Sequence, residues 1–322
     1  MRVELSVVIP VFNEGAVLPL LFARLYPALD ALGRRYEVIF VDDGSADESV
    51  ALLREQFAAR PHHTRALILG YNAGQHAAIL AGFSAARGSY VVTLDSDLQN
   101  PPEEIGAVVA TLDQGFDCVG TVRQGRRDPW WRRSISRMLN RIREKTTRIH
   151  ITDQGCMLRG YRRNVVDAIN RCREVSTFIP ALAYTFARRP TEIEVRHEKR
   201  AAGKSKYSLF SLIRLNFDLM TGYSLLPLQF ISLAGILIAT VSMGFVVFLL
   251  VRRLVIGPEA QGLFTLFALM FFLIGVLLFG LGVVGEYVGR IYQQVRQRPA
   301  YEVAEVLEEE TGEYSRRSIR SP

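Results

Sequence analysis

Cysteine is scarce in this chain of 322 residues, which contains only Cys118, Cys156 and Cys172, and no two of them form a C-x-x-C pair. Cysteines scattered in this way argue against a disulfide framework and a zinc site, and they fit a reducing compartment. Histidine is also scarce, with five residues and none at metal-ligand spacing.

Glycine-rich phosphate motifs are missing from residues 1–206 as well. G-x-x-x-x-G-K-[ST] does not occur, and G-x-G-x-x-G occurs only at 280–285, inside a long apolar run rather than between a strand and a helix, which disfavours dinucleotide oxidoreductases and P-loop NTPases. Because no zinc-finger, RNP or basic-zipper pattern accompanies the net charge of +7, we expect no nucleic acid partner. We attribute the charge instead to anionic lipid headgroups and phosphate ligands.

No signal peptide is expected at the start of the chain. The first apolar run, from Leu5 to Phe12, is short and lacks a small-residue cleavage site. It therefore predicts a buried strand, and the N-terminal domain is expected to stay in the cytosol.

Residues 1 to about 120 alternate short apolar runs with helical stretches around 15–32, 46–58, 75–86 and 103–113. The runs are rich in β-branched residues, as buried parallel strands are. They are Leu5–Val11, Tyr36–Val41, Thr64–Leu69 and Tyr90–Leu94. This βαβα order predicts a doubly wound, Rossmann-like α/β domain, to which we assign residues 1–206, with ligands at the carboxyl ends of its strands.

The apolar excess of the composition lies near the C-terminus. Two runs, Leu225–Val251 and Leu263–Gly285, carry no charged residue, and each exceeds the roughly 20 residues that cross a bilayer as a helix. We expect two transmembrane helices, at 225–251 and 263–287. Basic residues flanking the pair outnumber Arg252 and Arg253 between them, so both large segments are expected in the cytosol.

Two further segments adjoin the expected spans. The stretch 207–224 is amphipathic, which is typical either of a helix in the membrane interface or of an ordinary surface helix packed on the domain. The charged segment 290–322 is expected to form a cytosolic tail that is mobile after Pro299.

Acidic side chains follow the predicted strand Tyr90–Leu94. Asp95, Asp97 and the Gln99 amide would lie together at one edge of the sheet. Hard oxygen ligands in a loose cluster suit Mg²⁺ or Mn²⁺ bound jointly with a diphosphate, whose leaving charge the metal would neutralise. The alternative is that Asp97 only caps the helix that begins near Pro102.

A second polar cluster follows the first two strands. The turn Asp42-Asp43-Gly44-Ser45 supplies acceptors for a base N–H or ribose hydroxyls, whereas helix capping explains one acidic residue but not an adjacent pair. The remaining candidates for the wall of a nucleotide pocket are Pro10, Phe12, Asn13, Glu14, Asp95 and Ser96.

These motifs resemble the family 2 glycosyltransferases of the GT-A fold. The matching segments are SVVIPVFNE at 6–14, DDGS at 42–45 and DSDLQNPPE at 95–103. With R-x-x-G-x-S-K-Y at 200–207 and two terminal spans, the chain resembles the polyprenyl-phosphate branch, which includes dolichol-phosphate mannose synthase. GQHAAILAGF at 74–83 and DQGCMLRGYRR at 153–163 resemble its undecaprenyl-phosphate 4-deoxy-4-formamido-L-arabinose transferases.

The resemblance implies an inverting, metal-dependent transfer from a UDP-sugar donor to undecaprenyl phosphate at the cytosolic face of the bacterial inner membrane. The expected sugar is 4-deoxy-4-formamido-L-arabinose, for lipid A modification and polymyxin resistance. Glucose or another hexose, for O-antigen or envelope glycans, is the alternative. The lipid bilayer is a partner, and related enzymes imply a homo-oligomer, a tetramer.

The resemblance also implies residue roles. Arg123, Arg132 and Ser136 would hold the acceptor phosphate, although a solvated basic face is the alternative. Arg200, Ser205 and Lys206 would hold the donor diphosphate, unless the lysine is only a positive-inside flank. The expected catalytic residues are Asp95, Asp97, Arg132 and Arg200. No general base is expected, because a phosphate monoester with a second pKa of about 6 is largely dianionic at neutral pH.

Two other classes share parts of this pattern. A processive polysaccharide synthase would show Q-x-x-R-W and more spans, neither of which occurs here. A catalytically inactive lipid-binding scaffold could keep two spans but would not need the D-x-D and R-x-x-G-x-S-K-Y sets together.

Overall fold

The computed structural model describes residues 3–123, 152–153, 156–172, 178–198, 226–256, 263–295 and 299–309. The chain divides into two compact units. The first comprises residues 1–138, 149–207 and 298–322, and the second comprises 139–148 and 208–297.

The first unit is built on a mixed sheet whose strand order is β7-β5-β6-β4-β1-β2-β3-β8. Strands β4, β1, β2 and β3 run parallel, whereas β6 and β8 are antiparallel to their neighbours. The strands are β1 (Leu5–Val11), β2 (Tyr36–Asp42), β3 (Thr64–Leu69), β4 (Tyr90–Thr93), β5 (Cys118–Arg123), β6 (Arg159–Arg162), β7 (Pro190–Val195) and β8 (Val303–Leu307).

Helices cover the sheet. They are α1 (Leu18–Asp30), α2 (Ser49–Ala59), α3 (Gln75–Ala85), α4 (Ile105–Asp113), α5 (Arg163–Arg171) and α6 (Ile179–Phe186), with a 3₁₀ turn at Pro102–Glu104. Helix α3 approaches the sheet closely at Gly82, where an added Cβ would lie 2.3 Å from Cγ1 of Val8. Only glycine allows this backbone approach.

The four N-terminal strands confirm the sequence-based prediction. Every residue of β1 and β2 is buried, which is why both strands read as continuous apolar runs rather than as alternating patterns. The predicted bounds of β1 and β3 match the structure, and those of β2 and β4 differ by one residue.

The expectation of a mobile segment after Pro299 is wrong for residues 299–309. β8 pairs antiparallel with β3, and its approach buries Tyr301 and Val303 to 6% and 5% exposure. Glu305 in β8 and Glu308 directly after it made the strand hard to recognise in the sequence, because the arginines that pair with them are distant along the chain. Glu305 pairs with Arg54, and Glu308 pairs with Arg65 and Arg87.

The second unit contains two long helices, α7 (Leu226–Ile256) and α8 (Leu263–Val295). The expected spans fall within them, apart from the first residue of the first span. In the described part of the chain, one stretch, Phe272–Gly289, is long and apolar enough to cross a membrane, with a mean hydropathy of 2.0. The interfacial helix expected at 207–224 lies outside the described residues.

Candidate active site

Strands β4, β1 and β2 are neighbours, and they end at the same edge of the sheet. Val11 at the end of β1 pairs with Asp42 at the end of β2. Beyond β4, the N–H of Leu94 donates to the carbonyl of Val8 at 3.0 Å, so the chain enters the Asp95–Asp97 turn alongside β1. The polar clusters singled out in the sequence therefore share one edge.

The loop after β1 is tied to the loop after β2. Asn13 has a φ of 55°, a left-handed conformation that asparagine tolerates better than most residues. Its Oδ1 accepts from the N–H of Ala46 at 2.8 Å, and its own N–H donates to Oγ of Ser45 at 2.9 Å. Phe12 stays 38% exposed beside this junction, whereas Pro10 is buried. Asn13 thus fixes the conformation of the loop, and Phe12 is partly exposed beside it.

The Glu14 backbone joins the same junction. Its N–H donates to Oγ of Ser49 at 3.0 Å, and the neighbouring Gly15 N–H donates to Oδ2 of Asp47 at 2.9 Å. These bonds fix the start of α2 against the end of β1.

Asp42 and Asp43 differ in what their carboxylates contact. Asp42 is fully buried, and its Oδ2 accepts from the N–H of Ser45 at 3.0 Å. Its Oδ1 has no partner among the described residues. A buried acceptor without a partner costs about 1–3 kcal/mol, so Oδ1 suits the N–H or hydroxyl of a ligand.

The Asp43 carboxylate instead organises the loop after β3. It accepts from the N–H of Ala73 at 2.7 Å and from that of Gly74 at 2.9 Å. Burial raises the pKa of this carboxyl, although the two amides oppose the shift. Gly44 follows with a φ of 72° and lies so close to Tyr71 that an added Cβ would be 2.8 Å from its carbonyl carbon.

The turn after β4 presents oxygen ligands suited to a divalent metal. Oδ1 of Asp95 accepts from the Gln75 side-chain amide at 2.7 Å, and Oδ1 of Asp97 accepts from the N–H of Gln99 at 3.1 Å. Ser96 between the two aspartates is buried at 6% exposure.

These ligands fit a metal that shares its coordination with a substrate. Within the described ranges, no group of three or more histidine, cysteine or acidic residues could hold a metal ion. Mg²⁺ is usually bound by one or two carboxylates together with substrate phosphates. The donors of the turn, Asp95, Asp97 and the Gln99 amide, match that pattern.

A cation lies at the same edge of the sheet. Arg123 ends β5, which runs parallel to β7, and β5 is separated from β4 by β6, or about 10 Å at the usual strand spacing. The Arg123 guanidinium forms a bidentate pair with Asp153, Nε to Oδ2 at 2.6 Å and Nη2 to Oδ1 at 2.8 Å. Because Asp153 is only 2% exposed, it holds Arg123 firmly.

His197 is influenced electrostatically both by this pair and by Asp97 of the turn. Desolvation lowers the pKa of its imidazole, and the nearby Arg123 lowers it further, whereas Asp153 and Asp97 act in the opposite direction. The arginine and the carboxylates of the turn thus belong to one electrostatic neighbourhood.

Neither Asp153 nor His197 is assigned a role by the sequence motifs. The signal for Asp153 is its place at the start of DQGCMLRGYRR, but its partner Arg123 is 30 positions away. His197 comes under the influence of Asp97 because β7, which precedes His197, ends at the same edge of the sheet as β4. The other expected ligands, Arg132, Ser136, Arg200, Ser205 and Lys206, lie outside the described residues.

Comparison with known proteins places the chain in a family. Residues 6–169 match the family model "Glycosyl transferase family 2". The chain is 48% identical over 308 residues to the undecaprenyl-phosphate 4-deoxy-4-formamido-L-arabinose transferase of Aeromonas hydrophila, covering 95% of this chain and 94% of that one. This chain belongs to glycosyl transferase family 2. It is a glycosyltransferase, and its α/β domain is built on a mixed sheet.

Solved structures with a similar fold are more distant from this family 2 glycosyltransferase. Glucosyl-3-phosphoglycerate synthase from Mycobacterium tuberculosis, in complex with uridine diphosphate, is 17% identical with a TM-score of 0.48, covering 68% of this chain and 78% of that one. A mannosyltransferase from Pyrobaculum calidifontis, in complex with GDP-Man and Mn²⁺, is 17% identical with a TM-score of 0.46, covering 69% and 63%. These likenesses assign no ligand to the chain.

Proposed function

We propose that this enzyme transfers 4-deoxy-4-formamido-L-arabinose from a UDP-linked donor to undecaprenyl phosphate. The observation that carries the proposal is the 48% identity, over 95% of the chain, with a transferase of that name. The edge of the sheet supplies acceptors for a nucleotide, ligands for a metal and a cation for a phosphate, which are the groups that such a transfer needs.

The donor side of the site is formed by the ends of β1, β2 and β4. Oδ1 of Asp42 would accept from the base or ribose, and the exposed Phe12 ring would contact the nucleotide. Mg²⁺ or Mn²⁺, held by Asp95, Asp97 and Gln99, would supply positive charge to the leaving diphosphate. Arg200, Ser205 and Lys206 remain proposed ligands of the same diphosphate.

The acceptor side is centred on Arg123, with Arg132 and Ser136 as further proposed ligands. A guanidinium fork suits phosphate oxygens, and the bidentate contact with Asp153 orders Arg123 before a phosphate arrives. Since the phosphate is already ionised, these residues position a nucleophile and need not remove a proton. The expected outcome is a single displacement with inversion.

The second unit would anchor the enzyme in the bacterial inner membrane. Helices α7 and α8 are 31 and 33 residues long, more than the roughly 20 that span hydrocarbon. Two spans return the chain to one side, so the α/β domain and β8 both face the cytosol. An impermeant maleimide should therefore label E259C in intact cells but A300C only after permeabilisation; the reverse pattern would refute this topology.

The biological setting follows from the sugar. Transfer of the formamido-arabinose onto the lipid carrier would serve lipid A modification and thus polymyxin resistance. A homo-oligomer, a tetramer by resemblance to the polyprenyl-phosphate branch, remains our expectation.

A transfer assay with purified full-length protein tests this function. We expect UDP release and a lipid-linked sugar only when the UDP-formamido-arabinose donor, undecaprenyl phosphate and Mn²⁺ are all present. UDP-glucose is included as the competing donor. Preferential transfer of glucose would support the glucosyltransferase alternative, and the absence of any lipid-linked product with every donor would favour an inactive lipid-binding scaffold.

A further inference from the structure

The turn that carries the metal ligands contains strained backbone. Leu98, between Asp97 and Gln99, has a φ of 60°, and a non-glycine residue in this left-handed region costs about 1–2 kcal/mol. Its side chain is 4% exposed and belongs to the hydrophobic core. Such a conformation persists only where the surroundings hold it.

The strand-end segment after β7 holds the turn from outside. The N–H of Glu198 donates to the carbonyl of Gln99 at 2.9 Å. Within the turn, Oδ1 of Asp97 accepts from the Gln99 N–H at 3.1 Å. The position of Gln99 is therefore set on one side by Asp97 and on the other by Glu198.

A single guanidinium joins the 3₁₀ turn that follows Gln99 to the segment after β7. Arg24 of α1 donates to Glu103 through Nε at 3.0 Å and Nη2 at 2.9 Å, and to Glu198 through Nη1 at 2.9 Å and Nη2 at 3.1 Å. Glu103 lies in the 3₁₀ turn a few residues after Gln99. We call these three residues, Arg24, Glu103 and Glu198, the Arg24 clasp.

A second ion pair spans the same two segments. Nε of Arg196 donates to Oε1 of Glu104 at 2.7 Å. The segment 196–198 is therefore bonded directly to residues 99–104 at two points, Glu198 to Gln99 and Arg196 to Glu104, in addition to the sheet hydrogen bonds of β7.

Stability alone does not account for the Arg24 clasp. Its side chains are 32%, 43% and 50% exposed, and exposed ion pairs contribute only about 0–1 kcal/mol. Bidentate, charge-assisted hydrogen bonds also fix the relative orientation of the two side chains. Hydrogen bonds from Arg24 also hold the pKa of Glu198 below its ordinary value, so the clasp is fully charged at neutral pH.

We propose that Arg24 is a positioning residue for the metal site: the Arg24 clasp holds the strained turn so that Asp97 and Gln99 keep the geometry that binds Mg²⁺ or Mn²⁺ with a nucleoside diphosphate. Residues that hydrogen-bond directly to metal ligands typically change metal affinity by about 10–100-fold when they are mutated. Arg24 acts one contact further out, through Glu198, so we expect the lower end of that range. The inference rests on the metal site of the proposed function.

Binding of Mn²⁺ to full-length protein in the presence of UDP, measured by electron paramagnetic resonance, tests this role. We expect R24Q to raise the dissociation constant of Mn²⁺ about tenfold, with R24K between R24Q and wild type. In the transfer assay, saturating Mn²⁺ should restore the kcat of R24Q, which a merely destabilised variant would not show.

The matched control is R34Q. Arg34 follows helix α1 and pairs with Asp113 at the other end of α4, with 2.5 Å between Nη2 and Oδ2. The Arg34 side chain is 31% exposed, close to the 32% of Arg24. The R34Q substitution therefore removes an ion pair of α1 that lies away from the turn. R34Q should bind Mn²⁺ like wild type. If R24Q does not fold, E198Q, which keeps the pair between Arg24 and Glu103, replaces it in the comparison.

The outcomes separate this inference from the proposed function. Wild-type Mn²⁺ affinity in folded R24Q or E198Q would overturn the role of the Arg24 clasp alone. Failure of the wild-type protein to bind Mn²⁺ with UDP, together with metal-independent transfer, would overturn the proposed metal site and this inference with it.

Discussion

At the scale of single residues, the site depends on backbone conformations that most side chains do not adopt. Asn13 and Leu98 have positive φ angles, and Gly44 combines a φ of 72° with a tight contact to the loop after β3. All three follow strands at the carboxyl edge of the sheet. Irregular backbone is thus concentrated where the ligands are proposed to bind.

Substitution of Gly44 tests the tight contact. We expect G44A to lower the melting temperature and weaken UDP binding, because its Cβ would lie 2.8 Å from backbone atoms of Tyr71 and Asn72. The left-handed φ alone costs about 1–2 kcal/mol, and the clash adds to it. Thermal unfolding and titration calorimetry with UDP measure the two effects.

Gly33 provides the control for this substitution. It has a φ of 62°, but an added Cβ would meet nothing within 4 Å. The G33A variant should therefore be destabilised only by the cost of alanine at a positive φ, and it should keep its UDP affinity. Equal effects of G33A and G44A on both measurements would contradict the structural account of the Asp42–Ser45 turn.

At the scale of helices and strands, predictability from sequence follows burial. β1 and β2 are buried on both faces, and each could be located from its own residues. β8 could not, because the charged partners of Glu305 within it and of Glu308 directly after it are arginines more than 200 positions away. The antiparallel β6 was missed for a related reason: its four residues include Arg159, whose burial is visible only in the fold.

The ion pairs of β8 lead to a prediction about stability. Oε2 of Glu308 accepts from Arg65 at 2.8 Å and from Arg87 at 2.7 Å, and the Arg65 side chain is only 10% exposed. We expect E308A to destabilise the first unit by about 1 kcal/mol, since bonds to charged groups exceed ordinary surface pairs. Thermal unfolding and proteolytic release of the segment 299–309 provide the measurement.

E302A serves as the comparison for E308A. The Glu302 side chain is exposed, and the contact it makes to Gly70 uses its backbone carbonyl, which the substitution keeps. E302A should change stability by less than about 0.5 kcal/mol. If E302A and E308A unfold alike, the carboxylate of Glu308 does not hold β8 on the sheet.

At the scale of the whole molecule, sequence motifs and structure agree on an α/β catalytic unit and on long apolar helices. Asp95, Asp97 and Asp42 could be selected from sequence because each follows a recognisable strand. Asp153, His197 and the Arg24 clasp could not, because their importance comes from neighbours that are distant in sequence. The sugar is inferred from similarity along the chain, since no single residue of the site identifies it.

The central claim is that a nucleoside diphosphate and a divalent metal meet at the ends of β4, β1 and β2. Anomalous diffraction from crystals of the full-length protein with UDP and Mn²⁺ tests it most directly. The account predicts one manganese peak within about 2.0–2.6 Å of carboxylate oxygens of Asp95 or Asp97, with the uridine beside Asp42. A nucleotide bound elsewhere, or manganese absent from this turn while UDP is present, would contradict it.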